Sequence, residues 1–226
     1  MQHTTLIVPG FHGSGPDHWQ SWLQTQLPDA RRVAGIDWEA PILARWAAEV
    51  RREIDAAASA VWIVAHSFGC LASVVAASDR PDKVAGALLV APADPARFGP
   101  LGLADEGAGA QDVGPWLPSA QLGFPCAVVA SRNDPWVKLT VAAHWADRWG
   151  ACFIDIGAAG HINVESGFGP WPQGLELLAS LQRVHEDLPL GTVGGRPGTH
   201  KGRQGALARL RHHTRESMEF RPSSHV

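Results

Sequence analysis

The sequence has few cysteines and no long apolar run, and both absences exclude classes of protein. Its three cysteines are odd in number and lie inside or beside apolar segments, which predicts reduced structural thiols rather than a disulfide framework. No apolar run approaches the roughly 20 residues that a membrane-spanning helix needs. The first residues, MQHTTLIVPG, have no basic region before the apolar stretch, so we expect no signal peptide and a cytoplasmic location.

Motifs for metals and dinucleotides are missing as well. The chain contains no His-Glu-x-x-His or Cys-x-x-Cys pattern, which predicts that it holds no metal ion. A glycine-rich turn at residues 9–15 is spaced G-x-x-G-x-G, whereas dinucleotide-binding turns read G-x-G-x-x-G. We therefore expect no cofactor.

Charge divides the chain into two parts. Residues 187–226 contain seven Lys and Arg against three acids, while residues 1–186 contain 12 basic and 19 acidic side chains. The length and the apolar fraction of 45% suit one globular domain, which we place at residues 1–186. The remainder, rich in Gly, Arg and His, is predicted to be a basic, flexible tail. Because no aromatic residues are interleaved with its charges, we expect no nucleic acid as a partner. The lack of a long apolar run predicts no membrane partner.

Short apolar segments alternate with amphipathic segments of helical length. The pattern predicts strands at 4–8, 32–36, 61–65, 85–91, 126–130 and 152–156, and helices at 17–27, 42–58, 70–79, 137–149 and 173–186. Because several strands are unbroken apolar runs, we expect an α/β fold with an open, mostly parallel, doubly wound sheet and helices on both faces. Ligands bind such sheets at the carboxyl ends of the strands. The long irregular segment 94–122 is predicted to be a lid or binding loop.

The third strand runs into Ala65-His66-Ser67-Phe68-Gly69, which is close to the G-x-S-x-G nucleophile elbow of hydrolases. A sharp strand-to-helix turn needs small residues two positions before and after the serine, and Ala65 and Gly69 are both small. The alternative is that Ser67 caps the following helix, a common role for serine. A cap does not require small residues on both sides, so the pattern favours a nucleophile.

Two further strand ends supply the partners that a nucleophilic serine needs. Asp134 follows the fifth predicted strand and His161 lies in a glycine-rich loop after the sixth, which gives the chain order Ser, acid, His. Asp134 could also be a helix cap before Pro135, and Asp94, past the fourth strand, competes with it as the acid. The order of the three strand-end residues favours a Ser67, Asp134 and His161 triad.

These segments resemble a known family. PGFHGSGPDHWQSW, AHSFG, SRNDPWV and GHINVESGFGPWPQG together are similar to the small α/β-hydrolases of the YdeN / retinoblastoma-binding protein nine family, over about residues 4–184. The resemblance implies a serine hydrolase of α/β-hydrolase fold without a large cap domain. It also implies the same triad, and it implies that a residue other than glycine at position 65 is usual.

The sequence thus predicts an esterase-like serine hydrolase that acts on a small acyl substrate through an acyl-enzyme intermediate. Backbone N–H groups of Phe11 and Phe68 are expected to form the oxyanion hole. Candidate pocket residues are Phe11, His12, His18 and Trp116, although core packing or a surface turn explains each of them equally well.

Two alternative functions remain open from sequence. One is a hydrolase-fold protein that serves mainly as a protein-binding module with little turnover, although nothing in the sequence indicates a protein partner. The other keeps the triad but cleaves a thioester or a peptide bond.

Overall fold

The computed structural model describes residues 3–104 and 112–186, so the predicted tail at 187–226 lies outside the described residues, as does part of the predicted loop 94–122. The strands are β1 (Thr5–Val8), β2 (Ala30–Arg32), β3 (Val61–His66), β4 (Val84–Val90), β5 (Phe98–Gly99), β6 (Gly102–Leu103), β7 (Cys126–Ala130) and β8 (Cys152–Asp155). The helices are α1 (Trp19–Gln26), α2 (Leu43–Ala56), α3 (Phe68–Ala77), α4 (Leu139–Trp149) and α5 (Pro172–Glu186).

Six of the strands form one sheet in the order β2-β1-β3-β4-β7-β8, and every pairing between them is parallel. Strands β5 and β6 form a separate two-stranded antiparallel hairpin in the connection after β4. In the described part of the chain the connection after β4 holds only this hairpin and short turns, so there is no large cap.

Helices cover both faces of the sheet. Along β1, Leu6 and Val8 pack on one face with residues of α2, α3 and α4, while Ile7 packs on the other face with residues of α1 and α5. The same alternation runs through β3, β4 and β7, whose residues are buried throughout. The predicted doubly wound α/β fold is confirmed, and the unbroken apolar runs are explained because both faces are covered.

The prediction was wrong at β2, which forms at 30–32 rather than 32–36. This strand lies at the edge of the sheet and its Ala-Arg-Arg side chains are half-buried or exposed, so it has no apolar pattern to reveal it. The apolar residues that suggested a strand, Val33 and Ile36, follow it and pack on the core as irregular chain. Three helix starts also differ by two residues: α1 begins at Trp19, after its cap His18, rather than at residue 17, α3 begins at Phe68 rather than at 70, and α4 begins at Leu139 rather than at 137.

The strand order reverses between β1 and β3, which lie side by side although β2 separates them in the chain. In open α/β sheets, ligands bind at the carboxyl ends of strands at such a reversal. Here the turn at residues 9–13 follows β1 and Ser67 follows β3. Among the residues that the structure describes, no helix has the length and apolar character that crossing a membrane requires.

Candidate active site

Ser67 occupies a strained turn between β3 and α3. Its backbone has φ of +52° and ψ of −125°, a conformation that is sparsely populated by any residue with a side chain and that is typical of functional sites. Helix α3 starts at the next residue, and the Ser67 hydroxyl makes no capping hydrogen bond to it. The local geometry therefore matches the elbow that the sequence suggested rather than a serine cap.

The two small residues that flank the elbow, at positions 65 and 69, differ in whether a Cβ atom fits there. A Cβ atom at Gly69 would collide with the carbonyl oxygen of Pro9 and lie 2.6 Å from that of Val8, so only glycine fits where α3 passes the end of β1. Ala65 has its Cβ fully buried within the sheet without such a collision. Small size at position 65 is thus enough, whereas position 69 requires glycine.

The three predicted triad residues come together at this edge of the sheet. The Oγ atom of Ser67 lies 2.9 Å from Nε2 of His161, and Nδ1 of His161 lies 2.8 and 3.0 Å from the two carboxylate oxygens of Asp134. A carboxylate only accepts, so Nδ1 carries the proton and Nε2 is free to accept from the hydroxyl. The Asp134 side chain is fully buried and that of His161 is 10% exposed. This arrangement can move a proton from a serine hydroxyl to an imidazole whose charge a carboxylate balances.

Asp94, the competing acid, has a different contact. Its Oδ1 atom accepts from the N–H of Ala96, which caps the short turn after β4. Asp134 also accepts a local bond, from the N–H of Trp136, but it does not cap α4, which begins at Leu139 after Lys138. The structure therefore brings Asp134, and not Asp94, to His161.

Two backbone N–H groups close to the serine have no acceptor among the described residues. In the turn after β1, the N–H of His12 donates to Trp38 and the N–H of Gly13 to Gly10, which leaves Phe11 as a donor without a partner among the described residues. Phe68, the first residue of α3, likewise has an N–H with no acceptor in the described chain. A Cβ atom at Gly10 would lie 2.7 Å from the Cβ of Ser67, so the turn presses against the elbow.

Two buried side chains donate hydrogen bonds to backbone carbonyls of the loop that carries His161. Nε2 of His66 donates to the backbone carbonyl of His161 at 2.9 Å, and Nε1 of Trp19 donates to the next carbonyl, of Ile162, at 2.8 Å. Ile162 has φ of +51°, a strained value for a β-branched residue. Burial, followed by the nearby imidazoles of His161 and His18, lowers the pKa of His66 well below its usual value. His66 is therefore a neutral donor at neutral pH.

A second set of side chains accepts hydrogen bonds from the backbone N–H groups of the same loop. Successive N–H groups of residues 159–161 donate to Ser131 Oγ, Asn133 Oδ1 and Ser166 Oγ at 2.9, 2.8 and 3.0 Å. Ser131 and Asn133 belong to the loop that also carries Asp134, so the side chains of that loop bind the backbone of the His161 loop in addition to the contact between Asp134 and His161.

Sequence reasoning assigned no role to Trp19, Gln20, His66, Asn133 or Ser166. Gln20 is completely buried, and its Nε2 donates to the carbonyls of Val8 and Val64 near the ends of β1 and β3. A buried glutamine in an amphipathic helix is a signal that could have been read from the predicted α1, since such a side chain must find partners. The other contacts join residues far apart in the chain and leave no local pattern.

Of the four candidate pocket residues, three, namely His12, His18 and Trp116, lie in different surroundings. His12 is exposed, and its Nδ1 pairs with Glu39 Oε2 at 2.7 Å. His18 is 5% exposed and its Nδ1 accepts from the N–H of Gln20, which caps α1. Burial, with Arg32 and His161 nearby, lowers the pKa of His18 to about 4.

Trp116 is 43% exposed in a short turn at residues 114–116 and makes no ring contact with the triad. No cluster of potential metal ligands occurs in residues 3–104 or 112–186, and the three cysteines are buried.

The profile of the serine hydrolase family matches residues 5–180. Among solved structures, a YdeN-like hydrolase from Pectobacterium atrosepticum is 35% identical, with a TM-score of 0.72 over 81% of this chain and 92% of that chain. None of the curated proteins compared with the chain matches it.

More distant structures share the fold. The ydeN gene product of B. subtilis is 22% identical, with a TM-score of 0.61 over 80% of this chain and 98% of that one. Mouse alpha/beta hydrolase domain-containing protein 10 is 15% identical, with a TM-score of 0.60 over 84% of this chain and 92% of that one. The resemblance read from the sequence motifs is thereby confirmed.

Proposed function

The chain belongs to the YdeN-like serine hydrolases, and from this premise we propose that it cleaves a small ester or a related acyl compound with Ser67 as its nucleophile. The observation that carries the proposal is the continuous hydrogen-bonded row from Ser67 Oγ through His161 to the buried Asp134 carboxylate. The strained backbone of Ser67, which raises the hydroxyl at a strand-to-helix turn, supports the same role.

The chemistry follows from the positions of the protons. Nε2 of His161 takes the proton of the Ser67 hydroxyl as Oγ attacks the acyl carbon, and it then returns that proton to the departing alcohol. The same imidazole next takes a proton from the water that attacks the acyl-enzyme, and it gives that proton to Ser67 Oγ as the acyl bond breaks and the acid leaves. Asp134 keeps the Nδ1 proton in place and balances the charge of the imidazolium.

The negative charge on the carbonyl oxygen needs donors that are already in place. We assign this role to the N–H groups of Phe11 and Phe68, since both lack an acceptor among the described residues and both adjoin the elbow. Loss of one such donor in a hydrolase typically costs about 3–4 kcal/mol of transition-state stabilisation.

Labelling with a fluorophosphonate probe tests the nucleophile. We expect the wild-type protein to be labelled at one serine and to cleave 4-nitrophenyl acetate, and Ser67→Ala to lose both properties while it unfolds at a similar temperature. Ser180→Ala is the matched control, because Ser180 lies in α5 and the hydrogen bonds of its hydroxyl all stay within that helix. A folded wild-type protein that stays unlabelled would contradict the proposal.

A folded, unlabelled protein would instead favour the protein-binding module. If the probe labels Ser67 but esters are not cleaved, matched thioester and amide compounds identify the bond that the triad hydrolyses.

A further inference from the structure

Arg97 lies in a segment that is fixed directly against the nucleophile elbow. The segment follows β4, and the N–H of Ala93 in it donates to the backbone carbonyl of Ser67 at 3.2 Å. On the other side of Arg97, the Phe98 ring packs on the Phe68 ring with centroids 4.4 Å apart. Arg97 is therefore held between two contacts with the elbow, although its own side chain is exposed.

The Arg97 side chain turns toward the acid and base of the site. Its guanidinium carbon lies 4.4 Å from the centre of the Trp136 ring, and Nη1 is 3.5 Å from the carbonyl of Pro135. The Trp136 ring in turn lies 6.3 Å from the His161 ring, and its backbone N–H donates to Asp134. A stacked cation and an aromatic ring thus stand at the edge of the site next to the imidazole.

This cation has no anionic partner in the part of the chain that the structure describes. Residues 3–104 and 112–186 place no carboxylate within ion-pair distance of Arg97. Three acids that adjoin this segment have other contacts: Asp94 accepts from the N–H of Ala96, Asp112 from that of Gly114, and Asp134 is bound to His161 and Trp136. Stacking on a ring uses the face of a guanidinium and leaves most of its N–H donors available at the edge, in the fork that suits a carboxylate.

We propose that Arg97 and Trp136 form a specificity site for substrates that carry an anionic group several bonds from the scissile carbonyl. Arg97 binds a carboxylate or a similar anion, and Trp136 covers the apolar chain between that anion and the reacting carbon. The Trp136 ring lies 4.4 Å from the guanidinium carbon and 6.3 Å from the His161 ring, so an acyl chain that lies along this ring can join the anion to the reacting carbonyl. The inference rests on the proposed hydrolase function in a turnover test. A binding test examines it independently of hydrolysis.

The turnover test compares 4-nitrophenyl half-esters of adipic and suberic acid with their neutral methyl-capped counterparts. Shorter half-esters are unsuitable because their own carboxylate attacks the ester. A second pair, 4-acetoxybenzoate and its methyl ester, places the charge on the alcohol side. In wild-type protein we expect a higher kcat/KM for the anionic member of at least one pair, and the preference should fall as salt is added.

Arg97→Gln should lower the ratio of anionic to neutral kcat/KM by about 5- to 50-fold, as expected for loss of a charged hydrogen bond. Arg97→Lys, which keeps the charge but loses the fork and the stacking, should give an intermediate ratio. Arg148→Gln is the matched control, because Arg148 also lies over a tryptophan, Trp145, but on α4 away from the site. A ratio that is the same in wild type and Arg97→Gln overturns the inference, even if every ester is cleaved.

The binding test uses Ser67→Ala protein and the uncleaved adipate half-ester in a calorimeter. We expect the Ser67→Ala protein to bind the anionic ester more tightly than the methyl-capped form, and we expect this preference to be lost when Arg97→Gln is added to the same protein. Such a result supports the inference even if the wild-type protein hydrolyses nothing. Equal binding of the two esters overturns it.

Discussion

The imidazole Nε2 of His66 lies 2.9 Å from the backbone carbonyl oxygen of His161, although the two residues are 95 positions apart. The residue that precedes the proposed nucleophile therefore supports the residue that carries the proposed base. Because Trp19 holds the following carbonyl in the same way, the strained backbone at Ile162 is fixed by two buried donors.

Replacement of His66 should separate positioning from folding. We expect His66→Leu to lower kcat about tenfold or more with little change in KM, since a small displacement of His161 disrupts proton transfer but not substrate binding. His66→Gln, whose amide nitrogen can reach the same carbonyl, should recover much of the lost rate. Steady-state kinetics and a melting curve for each variant check this.

A purely structural role for His66 predicts a different result. In that case both variants would be equally impaired, and the remaining activity would follow the fraction of folded protein.

The choice between the two candidate acids can be tested by a matched pair of substitutions. Asp134→Asn should lower kcat on an activated ester by about 10,000-fold, because an amide no longer fixes the tautomer of His161 or balances its charge. Asp94→Asn keeps a side-chain oxygen that can accept from Ala96 and should change kcat little. A large loss confined to the Asp94 variant would show that the acid has been misassigned.

The two small residues of the elbow should respond differently to a change of one methyl group. Gly69→Ala introduces a Cβ that collides with two backbone carbonyls, so we expect a loss of about 1–3 kcal/mol in the free energy of unfolding and a loss of activity. Ala65→Gly restores the commoner elbow pattern and should cost about 1 kcal/mol, since glycine weakens a strand, while activity is kept. Urea unfolding and ester hydrolysis measure both effects.

His18 should make the folded state sensitive to acid. Its pKa is about 4 in the folded protein against 6.5 for an ordinary histidine, so the unfolded chain binds more protons between these values. The free energy of unfolding should therefore fall as the pH is lowered from about 6.5 to 4, by on the order of 3 kcal/mol from this residue. Burial lowers the pKa of His66 as well, which adds to the loss in the same direction.

His18→Asn provides the control for this effect. Asparagine is a good helix cap and does not titrate, so the variant should unfold with a shallower dependence on pH across this window. An unchanged slope in urea titrations at several pH values would assign the acid sensitivity to other groups.

The central strands of the fold could be predicted from the sequence because burial of a strand leaves a continuous apolar run in that stretch of chain. The strands β1, β3, β4 and β7 are buried on both faces, so each is a run of mostly apolar residues with recognisable ends. The edge strand β8 alternates between buried and half-buried residues, but three of its four residues are apolar. The edge strand β2 and the two-residue strands of the hairpin lack that burial pattern, and their positions could not be predicted.

For the site, the sequence predicted the three residues at strand ends but not the contacts that support them. Ser67, Asp134 and His161 follow strand ends, which sequence patterns mark, and the structure brings their side chains within hydrogen-bond distance. The supports of that geometry could not be predicted, because the donation from Trp19 to Ile162 spans 143 positions and depends on how the whole chain packs.

The contacts of Gly10 and Gly69 leave almost no free space between the turn after β1, the elbow and the start of α3. The attacking oxygen and the proposed oxyanion donors therefore form one rigid unit, and a substitution that displaces any of these groups displaces the others. An engineer who wishes to change which compounds this protein accepts has little room at that unit. The segments that surround it, the turn at residues 95–97 and the residues that follow Asp134, offer exposed side chains whose replacement leaves the elbow backbone in place.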